Sequence, residues 1–146
     1  MPGVSIHVVD VARGVVATGM EVELHAIDAG GRLALIAKGR VGANGLLDAP
    51  ELSKTFAAGG YVAVFHVAGF YRAQGVPLPA VPFLDVVRFP FGISDPAQHY
   101  HLPSNARRGA IRASAAANLL TDCVPVFVPS PRRGEGCSLL RYVMNG

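Results

Sequence analysis

Apolar and polar positions alternate in short runs over the first hundred residues, the mark of strands with one buried face. "VSIHVVDV" is β-branched and alternating. In "GMEVELHAID" Val22 and Leu24 point one way and Glu21, Glu23 and His25 the other. "AGGR" at 29–32 predicts a turn and "LALIAKGRV" the returning strand. "ANGLL" predicts a tight turn, because Asn44-Gly45 suits positive φ. "GGYVAVFHVA" predicts a further strand with Tyr61, Ala63, Phe65 and Val67 on one face. "FYRAQGV" is the only plausible short helix, with Gly75 ending it, and "PLPAVP" is a rigid loop. "FLDVVRFPFGI" predicts a strand whose proline suits an edge or a bulge. "DPAQHYHLP" then carries two histidines on an extended segment. Many short strands at this spacing predict an all-β sandwich, with no internal repeat.

The pattern stops after Pro103. "ARRGAIRASAAANLL" predicts at most a weak helix, and "CVPVFVPSP" a strand broken by prolines. Charge changes at the same point. Residues 1–103 hold seven Lys/Arg and eight Asp/Glu, net −1; residues 104–146 hold six and two, net +4. The formal charge of +3 is therefore a property of the tail, as are both cysteines, Cys123 and Cys137. A basic tail can bind nucleic acid, but these arginines are not interleaved with stacking aromatics.

An apolar content of 51% against 16% charged excludes general disorder. No run approaches the ~20 apolar residues of a membrane span. The opening "MPGVSIHVVD" lacks a basic start and an apolar signal core, which predicts a cytoplasmic protein with reduced cysteines.

Four stretches in this order, "SIHVVDVARG", "GRVGANGLLDAP", "GGYVAVFHVAGFYRAQGV" and "DPAQHYHLP", resemble the transthyretin-like family, and within it the 5-hydroxyisourate hydrolases. The resemblance covers about residues 3–103. It implies a transthyretin-like β-sandwich with one short helix, assembled as a homotetramer, a dimer of dimers with active sites between them. It implies hydrolytic opening of 5-hydroxyisourate to 2-oxo-4-hydroxy-4-carboxy-5-ureidoimidazoline, with no cofactor and no metal. The family's two catalytic histidines fall on His7 and His101. Imidazole suits the chemistry, since opening a cyclic amide needs water deprotonated and the leaving nitrogen protonated, and imidazole titrates near neutral pH. His99, two residues from His101, shares its strand face and is placed to orient substrate or neighbour. An H-x-H pair also suits zinc, but no obvious third ligand accompanies it. His25 and His66 lie outside the matched motif, as solvent or packing residues.

Two departures qualify the resemblance. Leu46 stands in the substrate-binding position where the family carries an arginine, and it cannot supply a bidentate hydrogen bond. A hydrolase of a related cyclic amide, or a non-catalytic carrier of a small ligand, are the alternative readings. The family's last strand and its terminus, such as "YRGS", are also absent. Codons compatible with residues 104–118, regrouped by one base, read "QCTPWGYSCFRGS" followed by a stop. The expectation is a hydrolase domain over 1–103 and, over 104–146, an aberrant, out-of-frame tail that packs poorly.

Overall fold

The computed structural model describes residues 2–107, 110–114 and 116–117. Ten strands build two sheets facing each other: β1 (Gly3–Asp10), β2 (Val15–Val16), β3 (Glu21–Ile27), β4 (Leu33–Val41), β5 (Leu47–Asp48), β6 (Gly59–His66), β7 (Val86–Ile93), β8 (His99–Arg107), β9 (Ala110–Ala113) and β10 (Ala116–Ala117). One sheet runs β5-β4-β3-β6-β7. The other runs β10-β8-β1-β2, with β9 also paired to β8. A single α-helix, α1 (Val67–Ala73), and a 3-10 turn, Pro50–Ser53, complete the described residues. No helix among them is long and apolar enough to cross a membrane.

The alternation read from the sequence sets which side chains form the core. Val4, Ile6 and Val8 of β1 and Tyr100 and Leu102 of β8 face inward from one sheet. Val22 and Leu24 of β3 and Ala63 and Phe65 of β6 face them from the other. Fully burying side chains such as Ile6 and Phe65 contributes about 1.5–3 kcal/mol each, which holds the two sheets face to face. The turn at 29–32 and the returning strand fall where the sequence places them. So does the proline of β7, which pairs only with β6 and forms a sheet edge, where a missing N–H is tolerated.

Three elements differ from the sequence reading. The helix starts at Val67 rather than Phe70, because β6 ends at His66 and Val67, Ala68, Phe70 and Tyr71 form one buried helical face. Gly75, at φ +74°, ends it as expected, its N–H donating to the Arg72 carbonyl. Residues 110–113 form strand β9 against β8 rather than a weak helix. β8 itself continues four residues past Pro103, with Ser104 and Ala106 buried and Asn105 and Arg107 exposed. Backbone pairing to residues 8–10 of β1 carries it there, a ladder indifferent to side-chain size. The stretch "CVPVFVPSP", both cysteines and most of the basic tail lie outside the described residues.

Candidate active site

The first long strand and the last one lie side by side. β1 and β8 pair in parallel, with Gly3 opposite His99, Ser5 opposite His101 and His7 opposite Pro103. A parallel pair needs a long crossover, and here the whole second sheet supplies it. Inward positions of both strands are committed to the core. The alternate positions, Ser5, His7, His99 and His101, therefore project together from the outer face of this sheet.

The start of β8 is held by its own sequence. Asp95 Oδ1 accepts from the Ala97 N–H at 2.9 Å, and the Gln98 N–H reaches the Asp95 carbonyl at 3.2 Å, closing the "DPAQ" turn. The Tyr100 hydroxyl accepts the N–H groups of Ser94 and Asp95 at 3.1 and 3.0 Å from inside the core. These hydrogen bonds, the Ser94 side chain's first, draw the Tyr100 phenol below its ordinary pKa. At the far end of β1, Asp10 Oδ1 accepts from the Ala12 and Arg13 N–H groups and shapes the turn into β2.

The rings of His7 and His101 lie 6.4 Å apart, tilted 34°. Ser5 Oγ sits between the other two imidazole contacts, 2.7 Å from His101 Nδ1 and 2.9 Å from His99 Nε2. Burial first, and then the neighbouring His7 and His99, push the His101 pKa below its ordinary 6.5. At neutral pH His101 is thus uncharged and able to accept a proton.

The loop carrying Leu46 closes the other side. Leu46 forms an isolated bridge with His7, and the Val8 N–H donates to the Gly45 carbonyl at 2.9 Å. Asn44 Oδ1 accepts the Leu46 N–H at 3.0 Å, and Gly45 takes φ +80°, as the turn chemistry requires. A groove of about 270 Å³ runs from Ser5 and His99 past Leu46 to Leu47 and Leu52. The structure thus brings together all four residues singled out by sequence, His7, Leu46, His99 and His101. Ser5 was missed. Its signal was present, since it lies two residues before His7 and so shares its strand face.

His25 and His66 lie on the other sheet, in a separate polar cluster. Glu23 meets His25 Nε2 at 2.8 Å and His66 Nε2 at 3.2 Å, while Lys38 Nζ bridges Glu21 and Glu23 at 2.9 and 3.2 Å. These contacts, His25's first, lower the Glu23 pKa to about 2. Glu21, Glu23 and His66 offer ligand atoms within 4.8 Å of one another, the grouping among the described residues with metal-like spacing, but the Lys38 ammonium already pairs with both carboxylates and offsets one of their two charges.

An all-β two-sheet sandwich whose first and last long strands present histidines side by side is a transthyretin-like architecture. The chain belongs to the HIUase/Transthyretin family, whose model matches residues 4–107. It is 39% identical over 104 residues to the 5-hydroxyisourate hydrolase of Pseudomonas aeruginosa, covering 70% of this chain and 82% of that protein. It is 38% identical over 98 residues to 5-hydroxyisourate hydrolase 2 of Rhizobium meliloti, covering 66% and 81%. Sea bream transthyretin, solved in complex with thyroxine, shares the fold at a TM-score of 0.71 and 21% identity, over 82% of this chain and 99% of that one.

Proposed function

We propose that this protein hydrolyses 5-hydroxyisourate, opening its ring to 2-oxo-4-hydroxy-4-carboxy-5-ureidoimidazoline in urate breakdown. The observation that carries the proposal is the pairing of His7 and His101, with ring centroids 6.4 Å apart on an outward face. One imidazole takes a proton from water as its oxygen bonds to the ring carbonyl carbon. The carbon–nitrogen bond then breaks, and the departing nitrogen takes a proton from an imidazole, which leaves a carboxylic acid and an opened ureido chain. His101 is the better base, since burial keeps it neutral. A ligand carrier has no use for convergent imidazoles, and the Pseudomonas aeruginosa and Rhizobium meliloti relatives are named as 5-hydroxyisourate hydrolases.

Further parts of this reading concern assembly and the tail. The protein acts as a cytoplasmic homotetramer, a dimer of dimers. His99 orients its neighbours and Leu46 lines the substrate site. Residues 104–146 are an out-of-frame product of a lost base, and the family's own last strand lies one frame away.

The test is decay of freshly generated 5-hydroxyisourate, followed by ultraviolet absorbance. His7→Ala and His101→Ala should each lower kcat by about 10²-fold or more, the range for loss of a general acid or base. Unchanged turnover in both variants would remove these residues from the mechanism.

A further inference from the structure

Ser5 touches two imidazoles at once, and its hydroxyl carries a single hydrogen. Within 2.7 Å of His101 Nδ1 and 2.9 Å of His99 Nε2, it can donate to at most one ring, so at least one of these two nitrogens must carry a proton and donate to it. The tautomers of the two rings are therefore coupled. With the hydroxyl hydrogen engaged by one of the rings, either the proton of His101 sits on Nδ1 and Ser5 donates to a bare His99 Nε2, or His99 Nε2–H donates to Ser5 and Ser5 donates to a bare His101 Nδ1; with that hydrogen turned away, Ser5 accepts from both rings.

The arrangements differ in what they present to substrate. Nδ1 of His101 faces Ser5, so Nε2 is the nitrogen left for chemistry. Nε2 is bare, ready to take a proton from water, only where His101 carries its own proton on Nδ1 and donates it to Ser5. We propose that Ser5 is a positioning residue that sets this tautomer: its hydroxyl accepts from His101 Nδ1–H and donates to His99 Nε2, holding His101 Nε2 bare as the base. This rests on the reading of His101 as catalytic and deepens it.

The backbone fixes the placement of the three side chains. Ser5 stands opposite His101 and Gly3 opposite His99 in the parallel β1–β8 ladder, so the hydroxyl reaches both rings. When His101 Nε2 accepts the proton from water, the ring becomes an imidazolium. Its Nδ1–H then points at the Ser5 oxygen, whose own hydrogen points at His99 Nε2, and the two polarised hydrogen bonds spread the new charge across a partly buried site. Giving the proton back from Nε2 to the leaving nitrogen restores the starting tautomer, so the protons balance over a turnover. The titratable group facing His101 from the other side is His7, 6.4 Å away between ring centroids.

Nitrogen-15 NMR of histidine-labelled full-length protein, at a pH where His101 is neutral, reads the tautomers without substrate. The expected result is His101 protonated at Nδ1 and His99 bare at Nε2. Ser5→Ala should release His101 toward the Nε2–H form and lower kcat by about tenfold or more, with KM changed by less than about twofold, as for a weakened general base. Ser5→Thr keeps the hydroxyl and should restore both the tautomer and most of kcat. An Nε2–H tautomer in the unmodified protein, or Ser5→Ala with unchanged tautomers and kcat, would overturn the proposal. Full hydrolysis by His101→Ala would instead sink the catalytic reading, and the relay's part in turnover with it, while the NMR arm still judges the coupling on its own.

Discussion

Gly45 lies flat against the imidazole of His7. A methyl group added at Gly45 would collide with Nε2 and come within 2.8 Å of Cδ2 of that ring. The backbone there is also left-handed, at φ +80°. Two separate constraints thus demand glycine, and they are separable by experiment. Gly45→Ala should lose about 1–2 kcal/mol of stability to the strained backbone and lower kcat as His7 is displaced. Gly31, at φ +76°, has nothing within 4 Å of the same added atom. Gly31→Ala should therefore show the stability loss by thermal melting and keep its kcat. Equal kinetics in the two variants would mean that Gly45 only shapes the turn.

Much of this arrangement was legible in the chain. Alternation in "VSIHVVDV" and "HYHLP" already divides inward Ile6 and Leu102 from outward His7 and His101. What no local pattern states is which strands become neighbours. That Ser5 abuts His101 follows from a parallel register across the whole sandwich. The helix start at Val67 was hidden because a β-branched residue after "VAVFH" reads as more strand until tertiary packing ends the sheet. Strand β9 was hidden for the opposite reason: "AIRA" has helix-forming alanines, and only the open edge of β8 draws it into pairing. The Glu23 cluster shows a third limit, since Glu21, Glu23 and His25 share a visible face, but His66 and Lys38 join them from strands on either side.

His101 should govern the acid limb of kcat/KM. Burial, and secondarily His7 and His99, hold its pKa below 6.5. The base form consequently survives to lower pH than an ordinary histidine allows, and the limb should fall below 6.5. The sign for stability is the reverse of a salt-bridged histidine. The unfolded chain protonates first as pH drops, so this group's contribution is full above the unfolded value of 6.5 and is lost as pH falls through the lowered folded value. His99→Gln removes one repelling neighbour and should move the limb upward, as followed by pH–rate profiles. A limb at or above 6.5 in the unmodified protein would assign it to another group.

Leu46 lies beside His7 on the bridging loop, which makes it the position at which to test substrate contact. It pairs with His7 and is 37% exposed, at the mouth of the groove. An arginine there would project toward solvent and substrate rather than into the core, so its charge need not be desolvated without a partner. If 5-hydroxyisourate is the substrate, Leu46→Arg should lower KM, since a guanidinium can donate two parallel hydrogen bonds to the ligand's oxygens. Steady-state comparison of the two proteins checks this. A neutral or harmful arginine would favour a different cyclic amide.

The last part of β8 bears on the reading frame. The domain inferred from the sequence ended at Pro103, yet Ser104 and Ala106 are buried on the inward face of β8. Ser104 Oγ is buried with no hydrogen-bond partner among the described residues, a deficit of about 1–3 kcal/mol for a polar group removed from water. Ser104→Ala should therefore stabilise the 146-residue chain, by about 1 kcal/mol in denaturant titration, because it removes the stranded hydroxyl and leaves the backbone pairing to Val8 intact. Restoring the frame to end in "CFRGS" should do more, raising both the melting temperature and turnover above those of the chain as it stands. Resequencing the locus is the direct check on the cause: an extra base near codon 103 is the expected finding, and an intact frame through codon 146 would show that the buried Ser104 belongs to a native, if poorly satisfied, strand.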